Sequence, residues 1–365
     1  MTILRLIADD LTGALDSAAQ FTGVAGPLPV LLEPPATHPA GSFALDLSCR
    51  DGAEAAAVDA VQASASCYRG ADIAFKKIDS LLRGHWAAEL TALARTRLFR
   101  RIILAPAFPA QRRVTRDGRQ AILEASGDVT PIAIDPVAAL SKRGVTVRRD
   151  GDRASVPDGE TVVHLCDAST QADLDDIVRR ESAGRDPVLW CGAAGLALAL
   201  ADRPPATVTP ERLSHLVIIG SIHPVTRGQV EALTGAHPAW IGSFDADGRT
   251  SASRVMTTME RHGRCVVAAD LPPGLAPVQA AQLFASWFAD MVPHLARPEV
   301  LTVVGGETFA ALCRSLGAHA LAVEGECQPG IPASRMMSGQ WSGVSCFSKS
   351  GAFGEPDWLC THLGP

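Results

Sequence analysis

Residues 3–21 read ILRLIADDLTGALDSAAQF, and this stretch decides the fold. Residues 3–8 are apolar except for Arg5, which is the length and character of a buried strand. Asp9, Asp10, Leu11, Thr12 and Gly13 interrupt the run with turn and capping residues, and a helix follows. The same strand–turn–helix rhythm recurs down the chain. Strands are read at 43–47, 73–75, 102–104, 162–165 and 188–191, with helices at 53–65, 86–97, 172–180 and 196–201. Strands alternating with helices imply parallel sheets joined by helical crossovers.

Working outward, the rhythm breaks once. Residues 201–212 read ADRPPATVTPER, and Pro204, Pro205 and Pro210 stiffen a segment that cannot be a helix interior. Beyond it strands are read at 216–219, 239–241, 265–268 and 300–304, and helices at 225–234, 253–261, 280–291 and 308–316. The expected fold is therefore α/β: two α/β lobes, residues 1–205 and 212–365, each with a largely parallel sheet flanked by helices, and a cleft between them. Residues 105–119 and 326–357, rich in Gly and Pro, read as long irregular loops.

Composition narrows the function classes. The 365 residues are 47 % hydrophobic and 20 % charged, which is globular rather than disordered. With 33 basic against 39 acidic residues the net charge is −6, so no nucleic-acid partner is expected. The longest apolar run, residues 188–201, is shorter than the about 20 residues of a membrane span, and charged residues interrupt the N-terminus as an export signal would not allow. No membrane association is expected. Nine cysteines without a CxxC pair fit buried thiols in a reducing compartment, which places the protein in the cytoplasm.

The chemistry-bearing residues fall at strand ends, where ligands gather in open α/β sheets. Asp9 and Asp10 suit hydroxyl recognition, cation binding or proton acceptance, and equally suit helix capping; Asp16, inside the following helix, reads as a surface residue. Residues 76–84, KKIDSLLRG, place Lys77 and Asp79 on one face and Lys76 on the other, with Arg83 close behind. An arginine fork beside a lysine fits a carboxylate or a phosphate; the same charges also suit an exposed turn. His85 reads as a surface or packing residue, and the loop arginines 112, 113, 116 and 119 as anion binders or a solvated basic loop. In the second lobe Gly220 and Ser221 follow a strand, and His223 reads as a turn residue. Gly305, Gly306, Glu307 and Thr308 join a strand to a helix, so backbone N–H groups are free to meet phosphate. Glu307 suits Mg²⁺, a water, a nucleotide hydroxyl or helix capping. Residues 343–350 miss the phosphate-loop pattern because Ser348 stands at its second glycine and the segment alternates like a strand.

Eight segments in order, from IADDLTGALDSA through KKIDSLLRGHWAAEL, APAFPAQRRVTRDG, GAAGLA, GSIHPVTRGQ, VGGETFAAL and EGECQPGIP to SKSGAFG, together resemble the four-carbon acid sugar kinase family. The resemblance implies a sugar-acid-binding N-terminal domain, a nucleotide-binding C-terminal domain, and ATP with a divalent cation, Mg²⁺, as cofactors. It implies phosphorylation of threonate, erythronate, 3-oxo-tetronate or a branched relative such as 3-oxo-isoapionate. By position it assigns Asp9, Asp10, Lys77, Asp79, Arg83 and Arg113 to the acid, and Ser221, Gly305, Gly306, Glu307, Thr308 and Gly351 to ATP. Asp79 is the expected proton acceptor, Lys77, Arg83 and Arg113 the carboxylate ligands. Arg112, His85 and Glu307 depart from the family pattern of Gly, Asn and Asp and leave the particular acid open. A homo-oligomer is an expected assembly. The alternative is a non-catalytic two-lobe sensor of sugar acids, which would need the first lobe's anion site but not the glycine turn at 305.

Overall fold

In the computed structural model the opening stretch forms β1 (Leu4–Ala8) and α1 (Leu11–Gln20). The structure describes residues 2–35, 40–150, 152, 159–184, 187–211, 214–243, 248–269, 275 and 277–364. The chain divides into two units, Met1–Pro205 and Ala206–Pro365. After α1 the first unit continues through α2 (Thr22–Ala25), β2 (Leu28–Leu31), β3 (Phe43–Asp46), α3 (Glu54–Ser64), β4 (Ile73–Lys77), α4 (Trp86–Arg95) and β5 (Arg101–Ala105). Then come β6 (Arg113–Arg116), β7 (Arg119–Leu123), β8 (Val129–Pro131), α5 (Pro136–Ser141), β9 (Thr146–Arg149), β10 (Val162–Leu165), α6 (Gln171–Glu181), β11 (Val188–Gly192) and α7 (Ala194–Ala201).

Eight of these strands lie in the order β2-β3-β1-β4-β11-β5-β10-β9, all parallel. In the central strands β1, β3, β4, β11 and β5 nearly all apolar residues are buried on both faces, as parallel strands covered by helices require. The register sets the site. Ala8 pairs with Asp46 on one side and Lys77 on the other, so the residues that follow β1, β3 and β4 emerge together at one sheet edge. Because the chain runs from β1 outward to β2 and β3, then returns to β4 on the opposite flank, this is a topological switch point. Strands β6, β7 and β8 form a separate antiparallel ribbon.

The second unit runs β12 (His215–Ile219), α8 (Pro224–Ala236), β13 (Ile241–Ser243), α9 (Gly248–His262), β14 (Arg264–Ala268), α10 (Pro277–Met291), β15 (Val300–Val304) and α11 (Gly306–Ser315). It closes with β16 (Ala320–Gln328), β17 (Ile331–Met336), β18 (Ser345–Lys349) and α12 (Trp358–Leu363). Its strand order is β13-β14-β12-β15-β18-β17-β16; the first five are parallel, and β17 and β16 are antiparallel. Ile219 pairs with Val304, and Val304 with Lys349, so the segments after β12, β15 and β18 also emerge side by side.

Four expectations are corrected. Residues 326–357 are not an irregular loop but carry the end of β16, all of β17 and all of β18. Within 105–119, β6 and the turn into β7 replace loop: Asp117 and Gly118 have φ of 52° and 72°, the left-handed pair that closes a two-residue hairpin. The strand read at 239–241 begins only at Ile241, because a 3₁₀ turn at Pro238–Trp240 precedes it. Asp16 is buried, because α1 packs against β1, β3 and α7 and leaves little of its surface to water. The nine cysteines are free, and seven are buried. Among the described residues no helix is long and apolar enough to cross a membrane.

Candidate active site

At the edge beyond β1, β3 and β4 an arginine sits between three carboxylates. Arg50, from the segment after β3, donates Nε to Asp9 Oδ2 at 2.8 Å and Nη2 to Asp9 Oδ1 at 2.7 Å. Its Nη1 reaches Asp10 Oδ2 at 2.5 Å and lies 3.9 Å from Asp79 Oδ2. The backbone fixes this arrangement, because the amides of Cys49 and Arg50 both donate to the Asp9 carbonyl, at 2.9 and 3.2 Å. The two aspartates differ in character. Burial opposes the charge on Asp9, but Arg50, Lys76 and Lys77 outweigh it and hold the carboxyl below the ordinary range. For Asp10 burial prevails over the pull of Arg50 and, with the charge of Asp9 added, pushes the carboxyl up. Asp10 also caps α1, its Oδ1 accepting from the Gly13 amide at 2.9 Å. Capping and site chemistry thus coincide in one side chain.

Lys77, the last residue of β4, brings its ammonium to the same place. Asp10 Oδ1 and Lys77 Nζ lie 2.5 and 2.6 Å from the point a Cβ on Gly13 would occupy, so any larger residue there would displace these two groups. Lys77 is 5 % exposed, and no protein hydrogen bond holds its ammonium among the described residues. Lys76 points the other way and forms a fully buried ion pair with Glu89 of α4, Nζ to Oε2 2.6 Å. Asp79 grips Arg83 bidentately, with Arg83 Nε 3.0 Å from Oδ1 and Nη2 2.6 Å from Oδ2, and its Oδ1 also accepts from the Leu81 amide at 2.9 Å. These bonds and Arg50 overcome burial and hold the Asp79 carboxyl far below the usual range. The Arg83 side chain is nevertheless 63 % exposed, so it reaches solvent. Arg113, at the start of β6, is half-buried within the electrostatic reach of Asp79 and Arg83. Two of the other loop arginines turn elsewhere: Arg116 donates to Ser169 Oγ, and Arg119 pairs with Asp135. His85 bonds the Gly52 carbonyl.

In the second unit the three strand-end segments meet around glycines. The Gly305 amide donates to the Lys349 carbonyl and the Gly220 amide to the Val304 carbonyl, 2.9 and 3.0 Å, which ties the segments together. Gly305 caps α11 with φ 118°, and Gly306 is the helix's first residue, so the first-turn N–H groups face the strand ends. Glu307 is half-buried on that first turn, and Thr308 is buried. Gly351 lies against Ser221: a Cβ there would overlap Ser221 Oγ, while the Gly351 carbonyl accepts from Thr226 Oγ1 at 2.7 Å. Lys349 does not face this space; it is fully buried, donates to the Ser350 and Phe353 carbonyls and lies over the Trp358 ring. Among the described residues no carboxylate pairs with it, and burial lowers its pKa to about 8. His223 caps α8 by accepting from the Val225 amide.

The residues expected at an acid site therefore gather in the first unit, and those expected at a nucleotide site gather in the second. Sequence reasoning missed Arg50. Its signal was present, because Arg50 follows a strand end just as Asp9 and Asp79 do.

Two families match the chain, one in each half. Residues 4–146 match the family described as sugar-binding N-terminal domain, and residues 216–359 the family described as nucleotide-binding C-terminal domain. A D-threonate kinase of Cupriavidus necator is 30 % identical, over 96 % of this chain and 94 % of its own. A D-erythronate kinase of Heliobacterium modesticaldum is 25 % identical over 78 % of this chain and 77 % of its own. A crystal structure from Salmonella typhimurium LT2 shares the fold with a TM-score of 0.74 at 19 % identity, covering 98 % of each chain. A Haemophilus influenzae structure does so at 0.71 and 18 %, covering 99 % of each. With both domain families matched and a relative at this identity aligned nearly end to end, the chain belongs to the four-carbon acid sugar kinase family.

Proposed function

We propose that this chain transfers the γ-phosphoryl group of ATP to a terminal hydroxyl of a short sugar acid: threonate, erythronate, 3-oxo-tetronate or a branched relative such as 3-oxo-isoapionate. Met1–Pro205 binds the acid and Ala206–Pro365 the nucleotide. The observation that carries the reading is the meeting of Lys77, Arg83 and Arg113 with three carboxylates beyond adjacent parallel strands. Arg50 absorbs much of the carboxylates' charge, so the cluster holds four cations against three anions and attracts an acid. Arg83, whose side chain reaches solvent, and Lys77, with an uncommitted ammonium, take the substrate carboxylate, with Arg113 as the third ligand. Asp9 and Asp10 accept from the sugar hydroxyls.

The acceptor oxygen attacks the γ-phosphorus in line, the bond from that phosphorus to the bridging oxygen breaks, and ADP departs. The hydroxyl proton passes to a carboxylate. Both carboxylates accept hydrogen bonds through both oxygens, Asp10 from Arg50 and the Gly13 amide and Asp79 from Arg83, but burial and the charge of Asp9 push the Asp10 carboxyl up toward proton affinity while Asp79 is driven down, so Asp10 suits that role better. Asp79 instead orients Arg83. In the second unit Ser221, Gly306, Thr308 and Gly351 cradle the phosphates with backbone N–H and hydroxyl groups, and Gly305, its own amide donated to the Lys349 carbonyl, lets the backbone approach them closely. Among the described residues no three His, Cys, Asp or Glu side chains are grouped to hold a metal ion. Mg²⁺ carried on phosphate oxygens needs only one or two protein carboxylates, and Glu307 fits as one. When bound, Mg²⁺ neutralises charge on the transferring phosphate.

The test is ADP release with ATP and Mg²⁺ across C4 to C6 sugar acids. At least one four-carbon acid is turned over and yields a phosphomonoester. ADP at background with every acid would overturn the reading.

A further inference from the structure

The ribbon β6-β7-β8 carries Arg113, while Arg83 belongs to the loop after β4, a different part of the unit. One buried side chain joins the two. Gln120, on β7 and fully buried, donates Nε2 to the Ser80 carbonyl at 2.6 Å, and Ser80 lies between Asp79 and Arg83. The same Nε2 lies 3.4 Å from the Pro106 carbonyl, at the entry to the ribbon. Its Oε1 accepts from Thr115 Oγ1 at 2.6 Å, and Thr115, also fully buried, sits on β6 two residues after Arg113. Both polar ends of the amide are thus satisfied, one toward the strand of Arg113 and one toward the loop of Arg83. The flanks are held separately: Arg113 pairs its backbone with Phe108, Thr115 pairs with Ala168, and Asp79 accepts from the Leu81 amide. Gln120 Nε2 supplies the hydrogen bond from the ribbon to the loop itself.

We infer that Gln120 is a positioning residue that sets the spacing between Arg113 and Arg83, and through it the affinity for the acid's carboxylate. The inference rests on the proposed role of these arginines as acid ligands. Two guanidiniums can share one carboxylate only at a fixed separation, and small misplacement of binding groups is costly. The hydrogen bonds of Gln120 run to Ser80, beside Asp79, and into the ribbon of Arg113, so its loss falls on acid binding.

Gln120→Met keeps length and volume but removes the hydrogen bonds to Ser80, Pro106 and Thr115. It raises KM for the acid about tenfold, the scale of one buried carbonyl left unsatisfied, and leaves KM for ATP within about twofold. Arg113→Met and the double variant complete the cycle. Once Arg113 is gone the spacing has no meaning, so Gln120→Met adds less than about twofold in that background. An unchanged acid KM in Gln120→Met, or full multiplication of the two effects in the double variant, would overturn the inference, since a general loss of fold integrity moves acid and ATP constants together. Amide exchange over residues 79–83 and 113–123 needs no turnover. It quickens in Gln120→Met relative to the central strands; unchanged protection overturns the link even if no sugar acid proves to be a substrate, while inactivity with the exchange result intact would fault only the assigned reaction.

Discussion

Asp10 and Asp79 are both aspartates at strand ends, yet their surroundings give them opposite roles. Asp79 is locked to Arg83 through both oxygens, and its carboxyl is driven far down. Asp10 is buried beside Asp9 and driven up. We expect Asp10→Asn to lower kcat by about 10²-fold or more with little change in the acid's KM, because a proton acceptor acts mainly in the transition state. Asp79→Asn loosens Arg83 and raises the acid's KM more than it lowers kcat. Steady-state kinetics on the two variants decides the matter, and a reversed pattern would restore Asp79 as the acceptor. The pH dependence has a definite sign. A carboxyl whose folded pKa lies below its unfolded value, about 3.9, stabilises the fold above that value and loses the contribution as pH falls through the folded pKa. The Tm deficit of Asp79→Asn is therefore full at neutral pH and narrows below about pH 4. A deficit that stays constant to pH 3 would show that charge is not what Asp79 contributes.

At the scale of elements, each half builds its site from the same device: parallel strands in register, with loops released together at their carboxyl ends. This explains what could be read in advance. Asp9 and Asp10 close the apolar run of the first strand, Lys77, Asp79 and Arg83 lie within eight residues of the apolar run 73–75, and Gly305 and Gly306 precede the helix read at 308, so local pattern sufficed to single them out. Arg50 was passed over although the strand before it was read, because it stands four residues beyond the end of β3, inside SCRDG, which has the composition of an ordinary turn. Strand β17 was hidden by Pro332, which sits inside a buried strand opposite Glu326, where sequence rules expect no proline. The ribbon was masked by prolines 106 and 109, although Asp117-Gly118 is a strong hairpin signal. Arg113's proximity to Asp79 is a tertiary fact that no local pattern carries. The glycine contact in the second unit yields a prediction at this scale. In Gly351→Ala the new methyl cannot coexist with Ser221 Oγ, so the segments after β12 and β18 must separate. KM for ATP rises about tenfold or more while the acid's KM holds, because a binding group has been displaced on one side only. Unchanged ATP affinity would remove Ser221 and Gly351 from the nucleotide site.

For the whole molecule the charge balance is unfavourable at first sight: a net −6 protein is assigned two anionic substrates. Screening resolves this, since at physiological salt charges farther apart than about 8 Å scarcely interact. What a ligand feels is local, the cations beyond β4 in one half and the open N-terminus of α11 in the other. Ligands that bind only the native state protect it, by about 2.7 kcal/mol at a hundredfold excess over Kd, and the protection concentrates where they sit. Amide exchange in the presence of each ligand alone therefore maps the division of labour. ADP should slow exchange around residues 220–226, 305–309 and 350–353, and a four-carbon sugar acid around 9–13, 48–50 and 77–83. Protection by ADP confined to residues 9–83 would reverse the roles of the two halves, because the glycine segments would then hold no phosphate. Protection in the expected segments at low salt that fades steeply with added chloride would show that charge, rather than the backbone cradle, supplies most of the affinity there.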